Sequence, residues 1–346
     1  MSALDRPAEP GRRRKGRGGR AERGMVPEAT FTSYYGRPVI KAPTWEARDI
    51  AGYLFLGGLA GGSSLVAAGA DLTGRHRLAR ATRIGALVSV TLSGGALVHD
   101  LGRPSRFYNM LRVVKLTSPM SVGSWILTAY GPLAAGAAAS EVLGKLPRLG
   151  RLAGIGAALI APALTSYTAV LLSDTAVPAW HEAYRDLPFV FVGGSAASAA
   201  GLSLLTVPDE AGPARRLAVF GGLLEIGASR RIVHRASFVA EAYRLGRART
   251  LLRAAEGFTA FGIAGGFLGR HRPWLSRLAG LSLLAGGACE RFGLFEAGMT
   301  SAKDPKYVVV PQRERLSAGR PVRASTWHPD GSLISDGGTP PPRPDR

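Results

Sequence analysis

The sequence has only one cysteine, Cys289, among its 346 residues. One thiol excludes an internal disulfide, and it cannot supply the set of ligands that an iron–sulfur cluster needs. Because Cys289 lies within an apolar run, we expect it to pack as a small hydrophobic side chain. The chain therefore has neither a disulfide framework nor a cluster site of its own.

Acidic residues are also scarce, with 24 Asp and Glu against 44 Lys and Arg and a formal net charge of +20. Such an excess of positive charge can indicate nucleic-acid binding. Here the basic residues punctuate apolar runs and are not interleaved with exposed aromatic residues, as a nucleic-acid surface would need. We therefore expect a membrane protein with basic loops and no nucleic-acid partner.

Charge is absent from whole stretches of the chain. Residues 51–70 and 152–173 contain no charged residue, and apolar runs of this length are typical of transmembrane helices. The two ends are instead polar and rich in Pro, Gly and Arg, which favours disorder. The sequence predicts a basic disordered N-terminal arm at 1–48, a membrane domain at 49–298, and a disordered Pro/Gly-rich tail at 299–346.

The charge-poor runs predict an all-α integral membrane protein with eight transmembrane helices, since backbone groups in lipid need partners within their own segment. Two glycine pairs in the first run, Gly57/Gly61 and Gly58/Gly62, have the GxxxG spacing of closely packed helices. The predicted spans are 50–71, 82–101, 120–142, 151–173, 187–206, 214–233, 250–269 and 274–296.

Eight spans place both termini on one side of the cell membrane. The basic tails and the basic loop between the sixth and seventh spans lie on that side. Under the positive-inside rule we expect this multi-pass protein to have cytoplasmic termini.

A polar stretch, "HDLGRPSRFYNML" at 99–111, follows the second span directly. His99 and Asp100 fall at the cytoplasmic end of that helix. The connecting loop then carries four polar or basic residues that we predict to dock a partner: Arg103, Arg106, Asn109 and Arg112. A solvated basic loop that merely fixes orientation explains the arginines as well, but it explains His99 and Asp100 less well.

Two other spans carry isolated polar residues. Tyr167 and Asp174 are seven residues apart, so they share one face of the fourth helix. Glu225 follows Arg216 by nine residues and therefore lies deep in the bilayer. A charge there costs about 2.5–3.5 kcal/mol on insertion scales, so such a residue faces the interior of a helix bundle. Asp100, Asp174 and Glu225 are candidates for proton transfer, and an internal ion pair is the alternative for Glu225.

Four segments resemble the NrfD family, the membrane subunits of polysulfide-reductase-like complexes. They are "HDLGRPSRFYNML" (99–111), "TSPMSVGSW" (117–125), "SYTAVLLSDTAVPAWHEAYRDLP" (166–188) and "GPARRLAVFGGLLEIGAS" (212–229), and the resemblance covers about residues 34–310. The first helix reads "FLGGLAGGSS", without the His or Asn that some relatives place there.

The resemblance implies an eight-helix core in two four-helix bundles, with no tightly bound cofactor. It implies exchange of electrons with quinone or quinol, bound near His99 and Tyr167. It also implies two partners: a ferredoxin-like iron–sulfur subunit and a catalytic subunit of the molybdopterin-dependent type. An imidazole and a phenol can both donate hydrogen bonds to quinone oxygens. The chain would then be a quinone-reactive or non-catalytic subunit of an oxidoreductase complex.

Three alternatives remain open at this point. A proton- or ion-translocating membrane protein would use Asp174 and Glu225 in the same positions. A cytochrome-like subunit would need a pair of haem ligands, yet of the six histidines only His99 and His234 lie near ends of predicted helices. A passive anchor would bind no quinone at all.

Overall fold

The computed structural model describes residues 39–317 except 102, 104 and 236, and it gives residues 106, 107, 316 and 317 without their side chains. Within this part of the chain all regular structure is helical, with no β-strand. Short 3-10 helices span Val239–Arg244 and Gly269–His271. The α-helices are α1 Ala47–Leu72, α2 His76–Asp100, α3 Arg106–Met110, α4 Pro119–Leu143, α5 Pro147–Ser173, α6 Pro178–Glu182, α7 Leu187–Thr206, α8 Gly212–Val233, α9 Gly246–Leu268, α10 Pro273–Lys303 and α11 Lys306–Ser317.

Proline and glycine set many of these boundaries. The helices α4, α5, α6, α7, α8 and α10 carry a proline at one of their first two positions, where its missing N–H breaks no helical bond. Ser118 caps α4 by accepting a hydrogen bond from the Ser121 N–H at 3.4 Å. Gly144 ends the same helix in the left-handed region, with φ of 66°.

The eight long helices, of 20 to 31 residues, fall at the eight predicted spans. Six of them are long and apolar enough to cross a membrane: α1, α2, α4, α5, α7 and α10. The helices α8 and α9 are not among these six, and both carry several charged residues, including Arg215 and Glu225 in α8 and Arg253 and Glu256 in α9. A multi-pass all-helical membrane protein is thus confirmed, whereas the count of eight spans stays a prediction.

The predicted end of the membrane domain at residue 298 falls inside a helix. The helix α10 continues to Lys303, and α11 follows at Lys306–Ser317. The apolar pattern predicts where a span loses hydropathy, but a helix can continue beyond that point into water. Of the predicted disordered ends, 1–48 and 299–346, residues 1–38 and 318–346 lie outside the described part of the chain.

The predicted close contacts of the α1 glycines are confirmed. A Cβ placed on Gly58 would lie 2.4 Å from the Ser195 hydroxyl of α7, and one on Gly61 would lie 2.7 Å from the Thr165 side chain of α5. These glycines let the backbone of α1 approach both neighbours. Because the largest buried cluster joins residues of both halves, such as Tyr130 and Phe295, the division into two four-helix bundles also stays a prediction.

The two ends of the helix bundle differ in the length of the links that connect the helices. At one end the links are short: 73–75, 144–146, 207–211 and 269–272. At the other end lie the long links 101–118, 174–186 and 234–245, together with α11. We call this end the long-loop face. Contacts among these segments and the residues before α1 stabilise this face. The rings of Trp45 and Trp180 are stacked 5.9 Å apart. The Tyr243 hydroxyl donates to the Ala179 carbonyl at 2.9 Å.

Candidate functional site

A cavity of about 640 Å³ opens between the start of α4 and the end of α5, next to the long-loop face. Its wall is mostly apolar, with a small group of polar side chains. We call it the α4–α5 cavity. Its lining residues are Leu116, Thr117, Pro119, Val122, Ile126, Ala163, Ser166, Tyr167, Val170, Ser173, Asp174, His181 and Tyr184. A mostly apolar wall with a few polar groups is typical of a small-molecule site.

Tyr167 is the most buried polar residue in this wall, with 7% of its surface exposed. Its ring packs on Gly123 of α4, where an added Cβ would lie 2.2 Å from the ring. The Tyr167 hydroxyl is buried and has no hydrogen-bond partner among the described residues. A buried hydroxyl without a partner costs free energy, so a ligand or water that accepts its hydrogen bond would be favoured.

Asp174 and His181 lie at the mouth of the α4–α5 cavity. Asp174 follows the last turn of α5 and lines the cavity with Tyr167, as expected from their spacing of two helical turns. The His181 Nδ1 lies 3.0 Å from the Ser173 carbonyl oxygen. A carbonyl can only accept, so Nδ1 carries the proton and Nε2 of the neutral ring has a free lone pair.

Sequence reasoning missed His181, which it placed in a loop and discounted. The residue lies in the short helix α6, and a link of four residues turns that helix back towards the end of α5. Its position within the segment "SDTAVPAWHEAY", close to Asp174, was the available signal.

His99 and Asp100 occupy a different place. Neither lines the α4–α5 cavity. The His99 Nδ1 lies 2.7 Å from a carboxylate oxygen of Asp49 near the start of α1, and the His99 side chain is 76% exposed. Asp100 accepts a long hydrogen bond, 3.5 Å, from the Glu46 N–H. The structure thus separates Tyr167 and Asp174 from His99 and Asp100, and it adds Asp49, which the sequence did not single out.

The predicted docking residues lie in the link between α2 and α4, on the long-loop face. The side chains of Arg103, Asn109 and Arg112 are exposed, while the side chain of Arg106 is outside the described part. Large apolar side chains are exposed beside them: Tyr108, Val113, Val114 and Leu116. This combination of basic and apolar groups is typical of a protein-binding surface.

Glu225 is buried in α8, with 2% of its surface exposed. It accepts a hydrogen bond from Thr259 of α9 at 3.3 Å and does not line the α4–α5 cavity. Glu290 and Arg291 of α10 are equally buried. Neither Glu290 nor Arg291 was among the candidate residues from the sequence.

A comparison with known families finds a match that spans the helices α1 to α7 and includes the α4–α5 cavity. The family model described as "Polysulphide reductase, NrfD" matches residues 44–212. This segment belongs to the NrfD family. It contains the motifs at 99–111, 117–125 and 166–188, whereas the motif at 212–229 only begins at its last residue. No curated protein matches the chain.

The NrfD match covers just under half of the chain and indicates its coarse function. Proteins of this family are membrane subunits of polysulphide reductase and related complexes, and they work with other redox subunits. The segment includes Tyr167, Asp174, His181 and His99, so every polar group described above except the Glu225 cluster falls within it.

Proposed function

We propose that this protein binds quinone or quinol in the α4–α5 cavity and exchanges its electrons with an iron–sulfur subunit that docks on the long-loop face. The observation that carries the proposal is the position of the cavity. It combines an apolar wall with Tyr167, Asp174 and His181, and it opens at the end of the bundle where the longest links lie.

The polar groups of the cavity match the needs of quinone chemistry. A quinone has two carbonyl oxygens that accept hydrogen bonds, and its reduction takes up protons. The unpartnered phenol of Tyr167 supplies one donor. The free Nε2 of His181 and the carboxylate of Asp174 can accept protons released by quinol at the mouth of the cavity. The apolar wall accommodates the ring.

His99 has a second role in this proposal. Paired with Asp49 and adjacent to Asp100, it exchanges protons at the long-loop face beside the cavity. A histidine held by a carboxylate near neutral pH is well suited to that task. The family resemblance implies that His99 and Tyr167 both contact the quinone. In this proposal Tyr167 binds the quinone, and His99 exchanges protons for the same reaction from outside the cavity.

The partner surface supports electron transfer to another subunit. We propose that Arg103, Arg106, Asn109 and Arg112 dock a ferredoxin-like subunit, which passes electrons to or from a catalytic subunit of the molybdopterin-dependent type. A groove of about 1090 Å³ lies next to the α4–α5 cavity, because His181 and Tyr184 line both. Quinone is an exchangeable substrate in this account, and the chain itself holds no tightly bound cofactor.

We further propose that α8 and α9 also cross the membrane, which completes eight spans with cytoplasmic termini. Large apolar side chains are exposed in the middle of both helices: Phe220 and Leu223 on α8, and Phe258 and Phe261 on α9. Glu225 is buried, Arg230 and Arg253 lie nearer the helix ends, and the partly exposed Glu256 is paired with Arg230. Lipid therefore meets an apolar surface on both helices.

Substitution of Tyr167 by Phe tests the proposal in the assembled complex. The change removes the donor and keeps the ring on Gly123. Loss of one hydrogen bond of about 1 kcal/mol predicts a roughly fivefold rise in the KM for quinol, or a matching fall in quinone-dependent electron transfer. The measurement is quinol-linked turnover in membranes that contain equal amounts of each complex.

Tyr243→Phe is the matched control. Burial raises the pKa of the Tyr243 phenol, which therefore stays protonated and donates to the Ala179 carbonyl on the long-loop face. Its loss should lower the midpoint of thermal unfolding and leave the KM for quinol unchanged. If Tyr167→Phe leaves the KM and the rate at wild-type values, the quinone site is wrong and a passive anchor becomes the better reading.

A further inference from the structure

Three charged side chains are buried in the interior of the second half of the bundle. They are Glu225 of α8 and Glu290 and Arg291 of α10, and each residue has only 2% of its surface exposed. The pair of carboxylates and the guanidinium lie among α7, α8, α9 and α10. None of the three lines the α4–α5 cavity, so they are not part of the proposed quinone site.

The packing of α7 against these groups fixes their position. A Cβ placed on Gly194 of α7 would lie 2.3 Å from the Glu225 Oε1 and 3.0 Å from the Arg291 Nη2. The carboxylate and the guanidinium therefore both lie beside the space that the glycine leaves open, but they make no direct ion pair with each other. Gly286, one turn before Glu290 on α10, packs in the same way on Thr259, the residue that donates to Glu225.

The cluster contains polar atoms that the described residues leave without partners. They are the Glu225 Oε1, the Glu290 Oε1, and the Nε and Nη1 of Arg291. The remaining contacts of Arg291 are with Phe191: its Nη2 donates to the carbonyl at 2.9 Å, and the guanidinium carbon lies 3.9 Å from the ring centroid. Four buried polar atoms without partners are typical of a site that holds water or another ligand.

The charges of the cluster do not balance if both carboxylates are ionised. Two negative groups then face one guanidinium, and an uncompensated charge in the interior of a helix bundle is strongly unfavourable. The other titratable groups nearby do not correct the imbalance. Glu256 of α9, which repels the charge of Glu290, is already paired with Arg230 of α8, and Cys289 is a half-buried thiol. One proton on the two carboxylates makes the cluster neutral.

We propose that Glu225, Glu290 and Arg291 form an internal, water-containing site at which the two carboxylates share one exchangeable proton. When the proton leaves, one negative charge remains in the interior; when it returns, the cluster is neutral again. Glu256 offers a titratable outlet, since its side chain is 38% exposed and its partner Arg230 lines a depression on the long-loop face. The site thus adds a proton-holding function that the quinone cavity does not need.

Infrared spectroscopy of the purified full chain in lipid tests the proposal, because a protonated carboxylic acid has a carbonyl band that carboxylates lack. Wild type should show one buried carboxylic-acid band that shifts in heavy water. Glu225→Gln and Glu290→Gln should each lose it, because the carboxylate that remains is then neutralised by Arg291. Arg291→Gln should double it, because both carboxylates must then be protonated.

Glu141→Gln is the matched control, since Glu141 lies outside the cluster and is paired directly with Arg83 at 2.5 Å. This variant should leave the band unchanged. The two Glu→Gln variants keep the shape of the side chain, and their thermal unfolding shows whether they fold. The proposal is overturned if wild type lacks the band, or if folded Glu225→Gln and Glu290→Gln both retain it. Neither result would bear on quinone turnover, so the two proposals fail independently.

Discussion

At the scale of single residues, the chemistry of the cavity depends on side chains that come from separate turns. The spacing of Tyr167 and Asp174 could be predicted from the sequence, because residues seven apart lie on one helix face. Their cavity with His181 could not, because it depends on the direction in which α6 leaves the end of α5. The contact between His99 and Asp49 joins two residues 50 positions apart in the chain, and periodicity carries no information about such pairs.

The His99–Asp49 pair gives a residue-scale prediction. Because the His99 side chain is largely exposed, solvent screens its attraction to Asp49, so the role of the pair should be visible in turnover and not in folding. We expect His99→Gln and Asp49→Asn each to lower quinol-linked turnover, and we expect the double variant to be no slower than the single ones. The assay is the same membrane turnover, with thermal unfolding measured in parallel.

Asp209→Asn controls for the loss of an exposed ion pair elsewhere, since Asp209 pairs with Arg77 at the opposite end of the bundle. It should change neither quantity. If the effects of His99→Gln and Asp49→Asn on turnover simply add, the two residues do not act as one unit.

At the scale of secondary structure, the eight long helices were predictable because each runs through a charge-poor stretch. The extension of α10 to Lys303 and the presence of α11 were not, since neither depends on an apolar span. Charge within α8 and α9 also obscures whether they cross the membrane. The fold resolves part of this ambiguity, because it buries Glu225 and leaves Phe220 and Phe258 exposed.

Labelling with a membrane-impermeant maleimide tests the proposed topology. In a Cys289→Ser background, Asn109→Cys and Leu245→Cys lie on the long-loop face, and Thr73→Cys lies on the opposite face; all three positions are exposed. We expect the first two to react only from the cytoplasmic side and Thr73→Cys only from the outside. Reaction of Leu245→Cys from the outside would show that α8 does not cross the membrane.

At the scale of the whole molecule, the long-loop face brings together features that are far apart in the sequence. The arginines of the proposed docking surface, the mouth of the α4–α5 cavity, the His99–Asp49 pair and the proposed outlet near Arg230 all lie at this end. The positions of the long helices could be predicted from hydropathy and charge. Which of them surround a cavity could not, because that depends on the packing of small residues such as Gly123 under Tyr167.

The most direct test of the central claim is to locate bound quinone. A photoreactive azidoquinone is added to the full chain in lipid, and the labelled residues are identified by mass spectrometry, with and without an excess of unlabelled quinone. Our account predicts label within residues 116–126 and 163–184, removed by the competing quinone. Label that persists under competition, or competed label found only outside these two segments, would contradict a quinone site in the α4–α5 cavity.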